Sequence, residues 1–354
     1  MRYLKIIIAI VLLASCEEYF RPDTDVTEPA YVFEGLITDQ PGPYIVKITK
    51  TYGYNSEIER VTDAKVRIEC SDGYTARLKY NPLGYYQTDS ATFVGEVGKK
   101  YKMVAIFADG LHFESTQDEL LPCPDVEEVN GTYFENKKIL TKGDTYYEDI
   151  DFGICATNTT NAAGFTPYYR YECKLIIQTR QYYPGTFPEE RYVFHPVTPS
   201  GTLFIADANN YADNKIIGNQ LYKTMNKTMR LGVDSLVPGM SEYEVYNVGE
   251  FVRVSQFSMN ENQYKFWKAI KDQQESTNYF FGQIENQPIG NIKCNTGEKA
   301  LGYFCVSAVK QNFGALGLKV STKEVRKYDA DTFPDTDTTA YYKIPPDYTI
   351  YFDN

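Results

Sequence analysis

The chain is poor in imidazole and indole, with only 2 His and 1 Trp in 354 residues. Histidine is the side chain that titrates nearest neutrality, so this shortage leaves few positions for histidine-based acid–base or metal chemistry. His112 falls on a strand pattern beside Leu111 and Phe113, and His195 precedes Pro196 in an expected loop; neither sits in a catalytic motif. A Gly-x-Ser-x-Gly elbow, a His-Glu-x-x-His zinc helix, a Walker loop and a Gly-x-Gly-x-x-Gly turn are all missing. Lys and Arg total 36 against 47 Asp and Glu, and no basic patch large enough to follow a phosphate backbone stands out. Nucleic acid is therefore excluded as a partner. What is abundant is aromatic: 32 Tyr and 20 Phe within a 43% hydrophobic composition. That is a folding composition, and the length suits two ordinary domains. No catalytic residue, metal site or cofactor is expected.

The N-terminus explains where such a chain goes. Arg2 and Lys5 precede the apolar run Ile6 to Leu13, a signal-peptide core too short for a bilayer of about 30 Å. The run ends in Leu13-Ala14-Ser15-Cys16, which resembles a bacterial lipobox. Residues 1–15 then form a leader, Cys16 is the expected lipidation site, and residues 16–29 form a polar tether. A buried CH₂ is worth about 0.8 kcal/mol, so two or more acyl chains give a stable anchor. No later apolar segment is long enough to cross a membrane. Loss of Arg2 and Lys5 moves the formal charge from -11 to about -13, so the lipid must supply the attachment to anionic membrane. Glu17-Glu18 and the acidic tether resemble surface-export signals of Bacteroidota lipoproteins; a merely solvated tether is the alternative.

Beyond the tether, period-two patterning dominates and predicts a mainly β fold. Ala64 to Cys70 and Tyr74 to Tyr80 alternate across Ser71-Asp72-Gly73, and Tyr101 to Ala108 pairs with Leu111 to Ser115 across Asp109-Gly110, a type I′ turn signal. Earlier strands are expected at Tyr31 to Ile37 and Tyr44 to Thr49. Together they suggest an N-terminal immunoglobulin-like β-sandwich over 30–122, ended by Leu121-Pro122-Cys123-Pro124. A larger β-rich domain over 125–354 is expected to carry strands at Ile150 to Thr157, Tyr168 to Thr179, Glu242 to Asn247, Phe251 to Phe257, Leu301 to Val309 and Tyr348 to Phe352. It also carries one clear amphipathic helix. Ser258-Met259-Asn260-Glu261 reads as its capping box, with Met259, Phe266, Trp267 and Ile270 on the core face.

The segment from Tyr264 to Val309 carries a family resemblance. Tyr264-Lys265-Phe266-Trp267-Lys268, Gln287-Pro288-Ile289-Gly290-Asn291-Ile292 and Ala300-Leu301-Gly302-Tyr303-Phe304 resemble a large family of Bacteroidota lipoproteins, domain of unknown function 4249. Phe33-Glu34-Gly35-Leu36-Ile37-Thr38-Asp39, Gly42-Pro43-Tyr44, Ala64-Lys65-Val66, Tyr86-Gln87-Thr88 and Phe93-Val94-Gly95-Glu96-Val97-Gly98 extend it over nearly the whole mature chain. The resemblance implies an outer-membrane, surface-exposed lipoprotein and no assigned activity. It also implies a TonB-dependent receptor as partner, with the chain as an accessory in uptake of an unidentified ligand. A structural subunit of another outer-membrane complex, for protein export or barrel assembly, is the first alternative. A glycan hydrolase is the second, since two suitably spaced carboxylates suffice for that chemistry, although pairs such as Glu189-Glu190 say little in so acidic a chain.

Three further features are candidates. Six cysteines besides Cys16 allow up to three disulfides; Cys155 and Cys173 flank a hairpin loop near Gly164 and are the first pairing, with Cys70–Cys123 and Cys294–Cys305 as weaker ones. Asp329 to Asp337 alternates oxygen ligands but lacks the Gly and Glu of a calcium loop, and reads as a solvated acidic loop. Tyr doublets at 85–86, 146–147, 168–169, 182–183 and 341–342 each predict one buried and one exposed ring. Tyr182-Tyr183 is the expected contact surface.

Overall fold

The computed structural model describes residues 30–51, 59–89, 93–131, 138–142, 145–151, 155–183, 189–197, 203–217, 226–231, 244–276 and 288–316. Its first ten strands are β1 (Ala30–Ile37), β2 (Ile45–Thr51), β3 (Glu59–Arg60), β4 (Lys65–Cys70), β5 (Thr75–Arg77), β6 (Lys79–Asn81), β7 (Tyr85–Gln87), β8 (Lys100–Ile106), β9 (His112–Ser115) and β10 (Asp118–Glu119). Then come β11 (Glu128–Gly131), β12 (Lys138–Lys142), β13 (Thr145–Asp151), β14 (Cys155–Thr160), β15 (Tyr168–Tyr183), β16 (Glu189–Val197), β17 (Phe204–Asp207), β18 (Lys215–Ile217), β19 (Asn226–Leu231) and β20 (Glu244–Met259). Helix α1 (Glu261–Ser276) precedes β21 (Ile292–Cys294), β22 (Ala300–Val306) and β23 (Val309–Leu316). The chain is mainly β, as the period-two patterning predicts.

Local chemistry sets the hairpins. β4 pairs antiparallel with β5, and β8 with β9, each across a loop ending in Asp-Gly. Gly110 N–H donates to Phe107 O at 3.1 Å and Phe107 N–H to Leu111 O at 2.9 Å, while Asp109 Oδ1 accepts from Leu111 N–H at 3.0 Å. Gly110 has φ +91°, but Asp109 is not left-handed, so the loop is a type I turn followed by a glycine bulge and not the expected type I′ turn. The carboxylate holds Asp109 in that shape by bonding two residues ahead. Ser71-Asp72-Gly73 repeats the arrangement, with Asp72 Oδ1 accepting from Tyr74 N–H at 2.9 Å.

Two sheets pack face to face. One has the order β22-β1-β2-β7-β6 with β3 beside β2; the other has β21-β9-β8-β4-β5 with β10 beside β8. Tyr31, Phe33, Ile37, Val46 and Ile48 meet Val66, Ile68, Met103 and Phe113 in the core. Phe33 and Phe113 rings lie 5.0 Å apart across the sheets, and Tyr31 sits 5.1 Å from both Phe107 and Phe113. Buried tyrosines serve as loop pins. Tyr44 Oη accepts from Gly95 N–H at 2.9 Å, Tyr101 Oη from Glu96 N–H at 2.8 Å, and Tyr86 Oη from Ala64 N–H at 2.9 Å. Each ring fills core volume while its hydroxyl satisfies a loop amide.

The expected division into 30–122 and 125–354 does not follow the sheets. β22 pairs in parallel with β1, from Tyr31 opposite Ala300 to Ile37 opposite Val306, and β21 pairs with β9. One edge of each sheet is thus supplied by residues beyond 290, so the sandwich is not closed by residues 30–122. The Pro122–Pro124 segment ends a strand, yet it is not a solvated linker. Gln256 Nε2 donates to Pro124 O at 2.8 Å and Ser258 Oγ to Leu121 O at 2.6 Å, both from β20. Cys123, Val126 and Val129 belong to the same continuous core.

Beyond the junction, β15 and β20 form a long antiparallel pair with one irregularity between Gln178 and Thr179. β16, β17 and β23 complete that sheet, and two three-stranded sheets, β11-β14-β18 and β12-β13-β19, accompany it. The two expected strands at Glu242 to Asn247 and Phe251 to Phe257 are the single β20, and Leu301 to Val309 divides into β22 and β23. His195 lies in β16 opposite Ile177, so the expected loop there is a strand. Tyr348 to Phe352 lies outside the described residues.

The helix starts later than its expected box. Asn260 Oδ1 caps it by accepting from Gln263 N–H at 2.8 Å, and Ser258 remains in β20, bonding Leu121 and Ala308. Asn caps as well as Ser, and the Ser258 hydroxyl is already used in the junction. Glu261–Lys265 and Lys268–Asp272 pairs, at 2.6 and 2.8 Å, support the solvent face.

The β22 edge is held by one side chain. Asn291 Oδ1 accepts from Phe304 N–H at 2.9 Å, and Asn291 Nδ2 donates to Phe304 O at 3.0 Å. The amide thereby mimics a neighbouring strand on the side away from β1. Gly302, with φ +88°, is the only residue type that fits beside β1, because a Cβ there would lie 1.9 Å from Phe33 O. Asn291→Ala should cost about 2–4 kcal/mol, since two buried backbone groups lose their partners. Gly302→Ala should cost more than about 3 kcal/mol through clash and backbone strain. Urea unfolding of both variants checks this, with exposed Lys65→Ala as a surface control expected within about 0.5 kcal/mol.

Candidate functional site

A groove of about 680 Å³ opens where α1 crosses the outer face of the sandwich. Alternation along β1 makes its floor. Tyr31, Phe33 and Ile37 point into the core, which turns Val32, Glu34 and Leu36 outward, and the parallel register sets Leu301, Tyr303 and Cys305 beside them. Ile45 and Lys47 of β2 extend the floor, and Phe266, Trp267 and Ile270 of α1 form one wall. Phe266 lies 5.0 Å from the Tyr303 ring and 5.4 Å from Trp267. The helix face expected to pack is therefore the one that packs, but Trp267 is half-buried at a groove wall and not a core residue.

Arg170, from the start of β15, closes one end. It is 7% exposed, and its guanidinium is stacked between two rings, 4.5 Å from Phe257 and 4.8 Å from Trp267. Such stacking holds the plane of the cation fixed. Nη1 pairs with Glu172, whose side chain is about half exposed. Nε has no hydrogen-bond partner, and Trp267 Nε1 nearby meets only the Cys305 thiol, a weak acceptor. Two buried N–H donors without an oxygen acceptor thus border one cavity, where an unmet group ordinarily costs about 1–3 kcal/mol. Elsewhere in the lining, Lys47 pairs with Glu34 at 3.3 Å and Tyr303 Oη donates to Asp118 Oδ2 at 3.1 Å. Burial first, and then Asp118, raises the Tyr303 phenol above its ordinary range. Cys305 in the floor has its thiol pushed up to about 11 by burial.

A second cavity of about 540 Å³ lies on the other side of Phe266, with Lys265 and Lys268 at its rim. Both lysines are already paired, with Glu261 and Asp272. Among the described residues no three of His, Cys, Asp and Glu converge on a possible metal position. No described helix is long and apolar enough to cross a membrane.

A family profile described as domain of unknown function (DUF4249) matches residues 17–312. The chain belongs to the DUF4249 family. The match takes in both sheets of the sandwich, α1, β22 and every residue of the groove, so the groove is part of the DUF4249 region itself. No curated protein matches the chain.

The other candidates from sequence fall in several places. Cys16 and Asp329 to Asp337 lie outside the described residues. The backbones of Tyr182 and Tyr183 end β15, paired with Glu190 and Glu189, and so are strand and not loop; their side chains lie outside the described residues. In the two doublets whose rings are described, Tyr86 and Tyr169 are buried while Tyr85 and Tyr168 are partly exposed, as alternation requires. Cys155 starts β14 and pairs with Gly131, while Cys173 on β15 pairs with Val254; the Cys155 side chain lies outside the described residues. Cys70, Cys123, Cys294 and Cys305 are free thiols, so neither Cys70–Cys123 nor Cys294–Cys305 forms. Chain proximity misled here, because β21 and β22 lie in opposite sheets of the sandwich. Arg170 was not among the residues read from sequence. Nothing in its Tyr-Arg-Tyr-Glu setting separates it from an exposed strand arginine.

Two measurements follow from the thiols. Iodoacetamide at pH 8 should modify the half-exposed Cys294 in the native chain and leave Cys123 and Cys305 unmodified, as read by peptide mass spectrometry. The folded Cys305 thiol titrates higher than an unfolded one, so its contribution is complete below about pH 9 and is lost as pH rises towards about 11. Cys305→Ala should reduce the alkaline loss of stability by about 2–3 kcal/mol in urea titrations across that window.

Proposed function

We propose that this DUF4249 chain is a binding protein of the bacterial outer membrane, anchored at the cell surface by lipid on Cys16, that assists a TonB-dependent receptor in ligand uptake. The observation that carries the binding role is the groove between β1, β22 and α1. It is of ligand size, mostly apolar, and carries a buried cation with an unpaired donor at one end. The lipobox Leu13-Ala14-Ser15-Cys16 supports the anchor, and the family resemblance supports the receptor as partner. Anchoring confines the protein to the same sheet of membrane as its barrel. Association then gains from high effective concentration, and a weak intrinsic interface suffices.

The test is made in the native membrane. Labelled palmitate should enter the wild-type chain and not Cys16→Ala, and mild detergent extraction of the wild type should bring down a TonB-dependent receptor. Release of an unlabelled wild-type chain into the medium, or its isolation alone while control lipoproteins retain their barrels, overturns the proposal.

A further inference from the structure

We infer that the groove binds an aliphatic monocarboxylic acid, with its carboxylate taking the unpaired Nε–H of Arg170 and replacing the weak thiol acceptor of the Trp267 N–H, and its chain along Val32, Leu36 and Leu301. This deepens the reading of the chain as a binding protein and rests on it.

The polar end selects the head group. Both atoms are donors without an oxygen acceptor, and one belongs to a permanent cation. A carboxylate has two acceptor oxygens and one negative charge, which matches that pair; an amine or ammonium would add donors where donors are already in excess. Glu172 does not block the site, since it takes Nη1 and leaves Nε unpaired, and its half-exposed side chain keeps contact with water. Arg170 is fixed between Phe257 and Trp267, so little side-chain entropy is lost on binding.

The floor selects the tail. It is the face of a sheet and not an edge, and β1 is hydrogen-bonded on both sides, to β2 and to β22. Its amides and carbonyls are therefore committed to the ladder. A peptide or a sugar laid on this face would lose water from its polar groups and find few partners in return. An aliphatic chain has no such groups to satisfy, and each CH₂ it buries contributes about 0.8 kcal/mol. The Glu34–Lys47 pair at the far rim is internally neutralised and so does not oppose an anionic ligand.

The sole indole of the chain stands in the wall, so its fluorescence reports on this site alone. The chain without its leader, residues 16–354 carrying Cys16→Ala to keep it free of lipid, would be titrated with decanoate, decanol and decyltrimethylammonium below their micellar ranges. Decanoate is expected to give a saturable change in Trp267 emission, with both other probes at least about tenfold weaker. Arg170→Gln should bring decanoate to within about twofold of decanol. Equal binding of decanoate and decanol by the unaltered chain, or no saturable change with decanoate, overturns the inference without any variant. Receptor co-purification is scored separately in native membrane. Its failure leaves a positive decanoate titration standing, and a negative titration leaves the partnership standing.

Discussion

The two hydrogen bonds between the Asn291 side chain and the Phe304 backbone fix the position of β22, and much else depends on that strand. An edge strand exposes alternate N–H and C=O groups on its free side, and burying them unpaired would oppose folding. One primary amide, with a donor and an acceptor in a plane, satisfies both at Phe304. Asn291 itself directly precedes β21 in the opposite sheet, and its carbonyl accepts from Thr116 N–H at 2.8 Å. One short segment therefore ties the two sheets together on the side where each ends. With β22 in place, β1 becomes an interior strand, Phe304 and Val306 enter the core, and Tyr303 and Cys305 face α1.

A second constraint is the sewn junction at Leu121–Val126. Its prolines cannot extend a ladder, so its carbonyls need partners from elsewhere. Gln256 and Ser258 supply them from β20, and Thr159 donates back to Gln256 Oε1 at 2.7 Å. β20 of the long sheet, β14 of a three-stranded sheet and the end of the sandwich thereby share one buried polar network. Val309 N–H, bonded to Asp39 Oδ1 at 2.8 Å, adds a third attachment from the other side of the sandwich. Such a network leaves little freedom for the long β15–β20 pair to swing relative to β1, which keeps Arg170 beside the groove.

How far the sequence was legible depends on the range of the interaction involved. Both Asp-Gly hairpins, the strands β1 and β2 and the helix were readable, because alternation and turn chemistry act over a few residues. The start of α1 was displaced by two positions, since Ser258 and Asn260 are both good caps and only the junction to Leu121 decides between them. That the sandwich does not close at residue 122 was not recoverable. Period-two alternation marks Leu301 to Val306 as a strand but carries no information on its partner, which lies some 270 residues earlier at Tyr31 to Ile37. The groove was half legible. Phe266, Trp267 and Ile270 were visible as one helix face, but Arg170 became a candidate only through its burial and its unpaired Nε, which are properties of the assembled structure.

The Gly290-Asn291 and Gly302 segments that carry the family resemblance are scaffold. Gly290 approaches Gly302 so closely that a Cβ would meet its carbonyl at 2.1 Å, Asn291 holds Phe304, and Gly302 passes against Phe33. Each of these residues is dictated by the geometry of a strand borrowed from far along the chain, and none needs a ligand to explain it. The polar end of the groove combines Trp267, which lies in another segment of that resemblance, with Arg170 on β15, which lies outside all of them. The residues that shape the cleft and the cation that gives it polar chemistry are thus contributed by different parts of the chain. The same scaffold that positions Val32, Leu36 and Leu301 would serve a different head group if the residue at position 170 were different.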